Sequence, residues 1–368
     1  MNYLIPFIIL ITVVVFIHEY GHYYFAKKFG VGITDFSIGF GKEIFGWNDR
    51  NGMRWKVCWI PLGGYVKFFG DRNVFSQSEQ KKVINNYPLK DREKLFILKP
   101  LYQRAIIVAA GPLANFILAI LIFFFINVFT GKDLTPAIVN EVQKNSPAFV
   151  SGLKKNDIIL SIDNHKVESI LEVSTFINTS TNDEIEFIVL RNEQKISKFI
   201  RPIVIIGEDS LGNKVNKRIV GIKLSPLNNK FNKTKLGPSK AMYYSLKEVW
   251  FVTTTSLKYV GKMLTGTGDS SQLGGPIKIA KITGQVAELG IVPFLSIMAY
   301  ISISLGLINL FPIPMLDGGH LMFYLFEKIF GKPLSQKTQE NFFRIGLFLL
   351  ISLMFFVTFN DLKDLNLF

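Results

Sequence analysis

A single cysteine, Cys58, occurs among 368 residues, so no internal disulfide can form and a disulfide scaffold is excluded. Histidine is nearly as scarce, with four in the chain. The opening residues Met1-Asn2-Tyr3 contain no lysine or arginine, and no small-residue cleavage site follows the first apolar run. That run is therefore expected to be a retained membrane span and not a signal peptide. The net charge is +14, yet neither a basic helix nor an aromatic stacking motif accompanies it. Nucleic acid is thus not an expected partner.

Apolar residues are abundant, at 49% of the chain. Four runs, Tyr3–Phe25, Arg104–Phe129, Val292–Phe311 and Phe342–Phe359, approach the ~20 residues that a bilayer crossing needs. The fold class they predict is an α-helical polytopic membrane protein whose first partner is the lipid bilayer. Lys and Arg near the span ends set its orientation. Lys27 and Lys28 follow the first run, Lys99 and Arg104 enter the second, and Lys328, Lys332, Lys337 and Arg344 surround the last connection. Those two loops are expected in the cytoplasm, with residues 130–290 on the outer side.

The spans divide the chain into 1–30, a loop region 31–102, 103–130, an outer domain 131–228, a connector with amphipathic character 229–290, 291–330 and 340–360. In the loop region, Ile33–Phe40, Met53–Ile60 and Tyr65–Phe69 are aromatic and β-branched, which predicts strands. Pro61-Leu62-Gly63-Gly64 is expected to reverse the chain. The result is either a small cytosolic β-meander or a membrane-associated hairpin that pairs with an extended substrate. Phe75–Leu98 reads as a surface connector.

The outer domain alternates short strands with one helix near Val167–Ile177. Its order S-P-A-x-x-x-G-L-x-x-x-D-x-I, from Ser146 to Ile159, resembles a bacterial PDZ domain, an α+β fold that binds a peptide along a sheet edge. His165 is expected on a surface turn.

Chemistry concentrates in two places. His18-Glu19-Tyr20-Gly21-His22 is an H-E-x-x-H pattern inside the first span. Residues four apart lie on one helix face, roughly 6 Å apart along the axis, so both imidazoles can address one Zn²⁺. Glu19 lies about 100° around the helix, where it can act as general base on a water. Burying such a cluster unpaired is costly. The second place is Asn309-Leu-Phe-Pro-Ile-Pro-Met-Leu-Asp317-Gly-Gly-His320 after the third span. Its two prolines break the helix, and an intramembrane carboxylate is a functional candidate. Asp317 is the best third ligand and His320 the alternative; a bland alternative is that Asp317 caps a helix starting at Gly318.

These two motifs together resemble the site-2 protease family of intramembrane zinc metalloproteases. Ala110-Gly111-Pro112-Leu113-Ala114-Asn115, Gly63-Gly64-Tyr65-Val66-Lys67 and Leu273-Gly274-Gly275-Pro276-Ile277 agree with it. The PDZ-like segment points to the RseP-like bacterial branch, although RseP has two PDZ domains in tandem and this chain shows one. The resemblance implies Zn²⁺ on His18, His22 and Asp317, with Glu19 as catalytic base. It assigns substrate contacts to Asn309, Asn115, Gly63, Gly64 and Tyr65. It also implies transmembrane protein substrates, such as anti-sigma factors or remnant signal peptides, and a PDZ-bound peptide. The location it implies is the bacterial inner membrane, with the site toward the cytoplasm and the PDZ domain periplasmic. A membrane metal sensor or transporter, or a non-proteolytic PDZ scaffold, would need no Glu19 base.

Overall fold

The structure is a computed structural model that describes residues 3–50, 52–69, 88–208, 214–226, 232–266 and 274–364. Most of the stretch read as a surface connector lies outside those residues, as does Leu273. The chain forms two compact units, one from Met1–Ile122 with Ser270–Phe368, the other from Phe123–Asp269.

In the first unit, the apolar N-terminal run forms helix α1 (Leu4–Lys28), with Lys27 and Lys28 in its last turn, where cations complement the helix dipole. Strands β1 (Ile33–Asn48) and β2 (Arg54–Phe68) pair antiparallel, with repeated register shifts. These shifts curl the pair on itself. Phe36 faces both Trp55 and Val66, and Ser37 faces both Lys56 and Tyr65. The reversal expected at Pro61–Gly64 is therefore a bend inside one strand, and it returns Gly64–Phe68 along Ile33–Ile38. Helix α2 (Leu101–Thr130) follows, with Pro112 in its interior. It packs closely on α1: a Cβ at Gly21 would lie 2.3 Å from the Ala110 carbonyl oxygen. Small residues permit that backbone approach between apolar helices.

The second unit begins with β3 (Lys132–Asp133) and β4 (Ile138–Val142). There follow the short helix α3 (Pro147–Val150), β5 (Ile158–Ile162), β6 (His165–Lys166) and helix α4 (Ile170–Thr179). Then come β7 (Ile185–Arg191), β8 (Gln194–Ile200), β9 (Ile203–Glu208), β10 (Lys214–Ile219), β11 (Ile222–Ser225) and β12 (Lys233–Thr234). The main sheet has the order β11-β4-β5-β7-β8, with β6 on β5, while β9 and β10 form a separate hairpin. Alternation on β7 buries Ile185, Phe187 and Val189 against Val173, Phe176 and Ile177 of α4. Ser169 and Glu172 form a capping box that starts α4.

Buried Asp157 takes the Arg191 guanidinium at 2.7 Å and the Lys154 N–H at 2.9 Å. Burial pushes its carboxyl upward, but these donors outweigh burial and hold it below the usual carboxylate range. Helix α5 (Pro238–Leu264) occupies much of the stretch read as a connector. It joins this unit through Phe251, which packs on Phe176 and His165 with ring centroids 5.1 and 5.3 Å away, and through Lys247 on Glu168 at 2.9 Å. His165 is thus half-buried between two phenylalanines, not a bare turn residue. Burial, and next the charge of Lys258, lower its pKa.

The chain then returns to the first unit with α6 (Pro276–Glu288), α7 (Ile291–Leu310), α8 (Asp317–Phe330) and α9 (Gln336–Asp364). Helix α6 packs along α1. Its N-terminus is held from α9: the buried Asp361 carboxylate accepts from the N–H groups of Gly275, Ile277 and Lys278 at 2.8–3.1 Å. Arg104 on α2 makes paired bonds to Glu327 on α8 and lies over the Tyr324 ring. Helices α1, α2, α7 and α9 are long and apolar enough to cross a membrane, and they coincide with the four expected spans.

Candidate metal centre

Three elements build the site. Helix α1 buries His18, Glu19 and His22. The break between α7 and α8 delivers Asp317: Pro312 and Pro314 stop α7, and Met315 adopts a left-handed φ of 87° that few non-glycine residues tolerate. Gly318 then lets the chain fold tightly, since a Cβ there would lie 2.2 Å from the Phe311 carbonyl oxygen. The helix starts at Asp317 itself, and its N-cap, Leu316, has no side-chain bond. The Asp317 carboxylate is therefore not spent on capping.

Asp317 Oδ2 lies 3.2 Å from His18 Nε2 and 3.5 Å from His22 Nε2, and the two Nε2 atoms are 3.3 Å apart. All three ligand atoms fall within 4.8 Å of one another. Asp317 Oδ2 is buried without a well-aligned hydrogen bond. Two imidazole nitrogens and one carboxylate oxygen converging on one point form a donor set that can hold a metal ion with one position open. Among the described residues this is the only such cluster.

The structure brings together His18, His22 and Asp317, but not His320. That ring lines the same cavity and packs on Phe343 at 5.5 Å between centroids. His22 Nδ1 donates to the Ile107 carbonyl at 2.9 Å, which leaves its Nε2 lone pair for a metal. A backbone acceptor of this kind has no signal in sequence.

Glu19 sits on the neighbouring face of α1, where the Val66 N–H of β2 reaches its carboxylate. Gly64 allows this approach, because a Cβ would lie 2.9 Å from both Glu19 Cγ and Val15 Cγ1. The Gly63-Gly64 pair thus seats the strand on the helix as well as lining the site. A cavity of about 520 Å³ opens over the cluster. Gly63, Gly64 and Tyr65 line it from β2, and Asn309 from the end of α7. Asn115 does not. It is fully buried behind the histidines, with its amide 3.3 Å from His18 Nδ1. Its expected substrate contact is replaced by a contact to a candidate ligand.

Comparison with known proteins returns the same chemistry. The model of Peptidase family M50 matches residues 6–353. A protein of Agrobacterium fabrum named as a zinc metalloprotease is 40% identical over 99% of this chain and 96% of its own length. The metalloprotease MmpA of Caulobacter vibrioides is 34% identical over 99% of this chain and 96% of its own length. A solved PDZ domain from Listeria monocytogenes matches 24% of this chain and 85% of its own, at 22% identity and a TM-score of 0.20.

Proposed function

The chain belongs to peptidase family M50, and on that premise we propose that it is a zinc-dependent intramembrane endopeptidase of the site-2 protease type, cleaving single-span membrane proteins. The observation that carries this reading is the convergence of His18, His22 and Asp317 beside Glu19, at the floor of a cavity bordered by a β-strand. The residues fit zinc, because they offer two nitrogens and a carboxylate oxygen lacking a well-aligned hydrogen bond, with no fourth protein ligand in the cluster among the described residues. When bound there, zinc would supply Lewis acidity toward water and the scissile carbonyl.

The chain's own residues supply the rest. Glu19 takes a proton from the attacking water and returns it to the leaving amine. A helical substrate must unwind before its carbonyls are accessible, and the freed groups need new partners. The segment Gly63–Phe68 borders the cavity and pairs on one side with β1. Its other edge is suited to strand addition by the unwound substrate. Asn309 lines the same cavity, and its amide would hold the substrate backbone or the developing oxyanion.

Lys27 and Lys28 lie just beyond His22 on α1, which favours a site near the cytoplasmic face of the bacterial inner membrane, with the second unit periplasmic. That unit serves as a single PDZ-like module that binds a peptide or screens substrate size. Anti-sigma factors and remnant signal peptides are the substrate classes in view.

The test is Glu19→Gln in membranes that carry a tagged single-span substrate. Zinc content and fold are expected to remain while cleavage stops. Wild-type cleavage by this variant would refute Glu19 as the base.

A further inference from the structure

The second histidine of the cluster has its outer nitrogen fixed by a carbonyl. The first has only an amide. Asn115 is fully buried, and its side chain lies 3.3 Å from His18 Nδ1. Its backbone is clamped from α7: Ser302 Oγ donates to the Asn115 carbonyl at 2.9 Å, and a Cβ at Gly306 would be only 3.3 Å from Asn115 Cβ. The Asn115 backbone is thus held close to α7, with the side chain buried beside His18.

For His18 Nε2 to offer a lone pair toward Asp317 and His22, the imidazole proton must sit on Nδ1. Nδ1–H then needs an acceptor, and the group that the structure sets there is the Asn115 amide. The amide can present either end, since a half-turn about its last torsion exchanges Oδ1 and Nδ2 at little steric cost. With Nδ2 toward His18, Oδ1 is buried without a hydrogen bond. That arrangement also forces the proton onto Nε2, where ligation is impossible. With Oδ1 toward His18, the acceptor is used and Nε2 is free.

We propose that Asn115 is the positioning residue for His18: its Oδ1 accepts the Nδ1–H and fixes the tautomer whose Nε2 faces Asp317 and His22. This rests on the ligand set proposed above. Asn115 touches neither substrate nor metal and acts through the imidazole.

The experiment measures zinc affinity of the purified full chain by chelator competition, without reference to proteolysis. Asn115→Leu keeps nearly the same shape and removes the acceptor. Asn115→Asp keeps acceptor oxygens and removes the donor. Loss of an outer partner to a ligating histidine typically weakens metal binding by about 10–100-fold, the drop expected for Asn115→Leu. Asn115→Asp is expected to bind zinc at least as well as wild type. Unchanged affinity in Asn115→Leu would overturn the proposal. So would loss of zinc from Asn115→Asp with the fold intact, because that is the result if the amide acts as donor. If Asn115→Leu does not accumulate as folded protein, Asn115→Asp still decides between acceptor and donor. Wild type and His18→Ala serve as references. A wild-type chain without zinc would refute the ligand set, whereas zinc-binding wild type with an unaffected Asn115→Leu would refute only the role of Asn115.

Discussion

Gly111→Ala places one methyl group on the metal-binding atom of His22. A Cβ at position 111 would lie 2.3 Å from His22 Nε2 and 2.5 Å from Cε1, whereas ordinary contact begins at 3.4 Å. The imidazole must therefore retreat by about 1 Å, while ligand distances at a zinc site tolerate only about 0.2 Å. Retreat strains a tether, because His22 Nδ1 is tied to the Ile107 carbonyl at 2.9 Å on the same helix as Gly111. Separating α1 from α2 would instead give up the close packing in which Gly21 abuts the Ala110 carbonyl. Overpacking of this kind costs about 1–3 kcal/mol of stability. A misplacement of ~1 Å at a reacting centre costs about 100-fold in rate.

The expected signature is a modest fall in melting temperature with a disproportionate loss of zinc and of turnover. Thermal unfolding in detergent, zinc analysis and cleavage of a tagged substrate in proteoliposomes read these separately. Gly261→Ala is the control, because a Cβ there meets nothing within 4 Å. Wild-type zinc content and turnover in Gly111→Ala would refute the close-approach reasoning.

Three further outcomes follow from contacts away from the metal. Glu327→Gln leaves the Arg104 guanidinium largely buried without its counter-charge. A fully buried break costs about 3–5 kcal/mol, so a somewhat smaller loss is expected in thermal unfolding, with α8 and hence Asp317 loosened. Asp361→Ala removes the acceptor for three backbone N–H groups at the start of α6. A loss of about 0.5–2 kcal/mol is expected, and hydrogen exchange should quicken first in that turn.

The third concerns pH. The folded Asp157 carboxyl titrates below its unfolded value of about 4, so its stabilising contribution is present above that pH and lost as pH falls through the lowered folded value. Asp157→Asn is expected to flatten that acid-limb loss of protection in β5 and β7. An unchanged acid limb would show that Arg191 does not govern it.

The parts of this fold legible in sequence are those with a periodic or compositional signature. The spans are written in apolar runs, and His18 and His22 in the spacing of one helix face. Asp317 was legible because a carboxylate beside helix-breaking prolines in an apolar segment needs a reason to be there. The curl of β1 and β2 was not, because register shifts arise from backbone geometry that many sequences share. Nor was the docking of α5, whose link to the sheet unit depends on where Phe251 lands against Phe176 and His165. Asn115 stood in a recognisable motif, but a motif does not say whether a side chain faces a cavity or the back of a ligand.

A signal for that distinction was nonetheless present. Ile107, Gly111 and Asn115 are spaced by four, as are His18 and His22, so each set occupies one helical face. The two faces meet in opposite directions: His22 lies against Ile107 and Gly111, and His18 against Asn115. Helix α2 thus acts as a template for α1, with an acceptor for each outer nitrogen and a gap for the ring between them. The two acceptors differ in kind. A carbonyl within a helix cannot reverse its role, whereas an amide can turn. Replacement of Ile107 should therefore leave the tautomer of His22 unchanged, because its oxygen belongs to the backbone. Of the two acceptor positions, 115 alone exposes the metal centre to a side-chain substitution that removes the acceptor. Chelator competition on Ile107→Val beside Asn115→Leu tests this asymmetry, and equal losses of zinc affinity would contradict it.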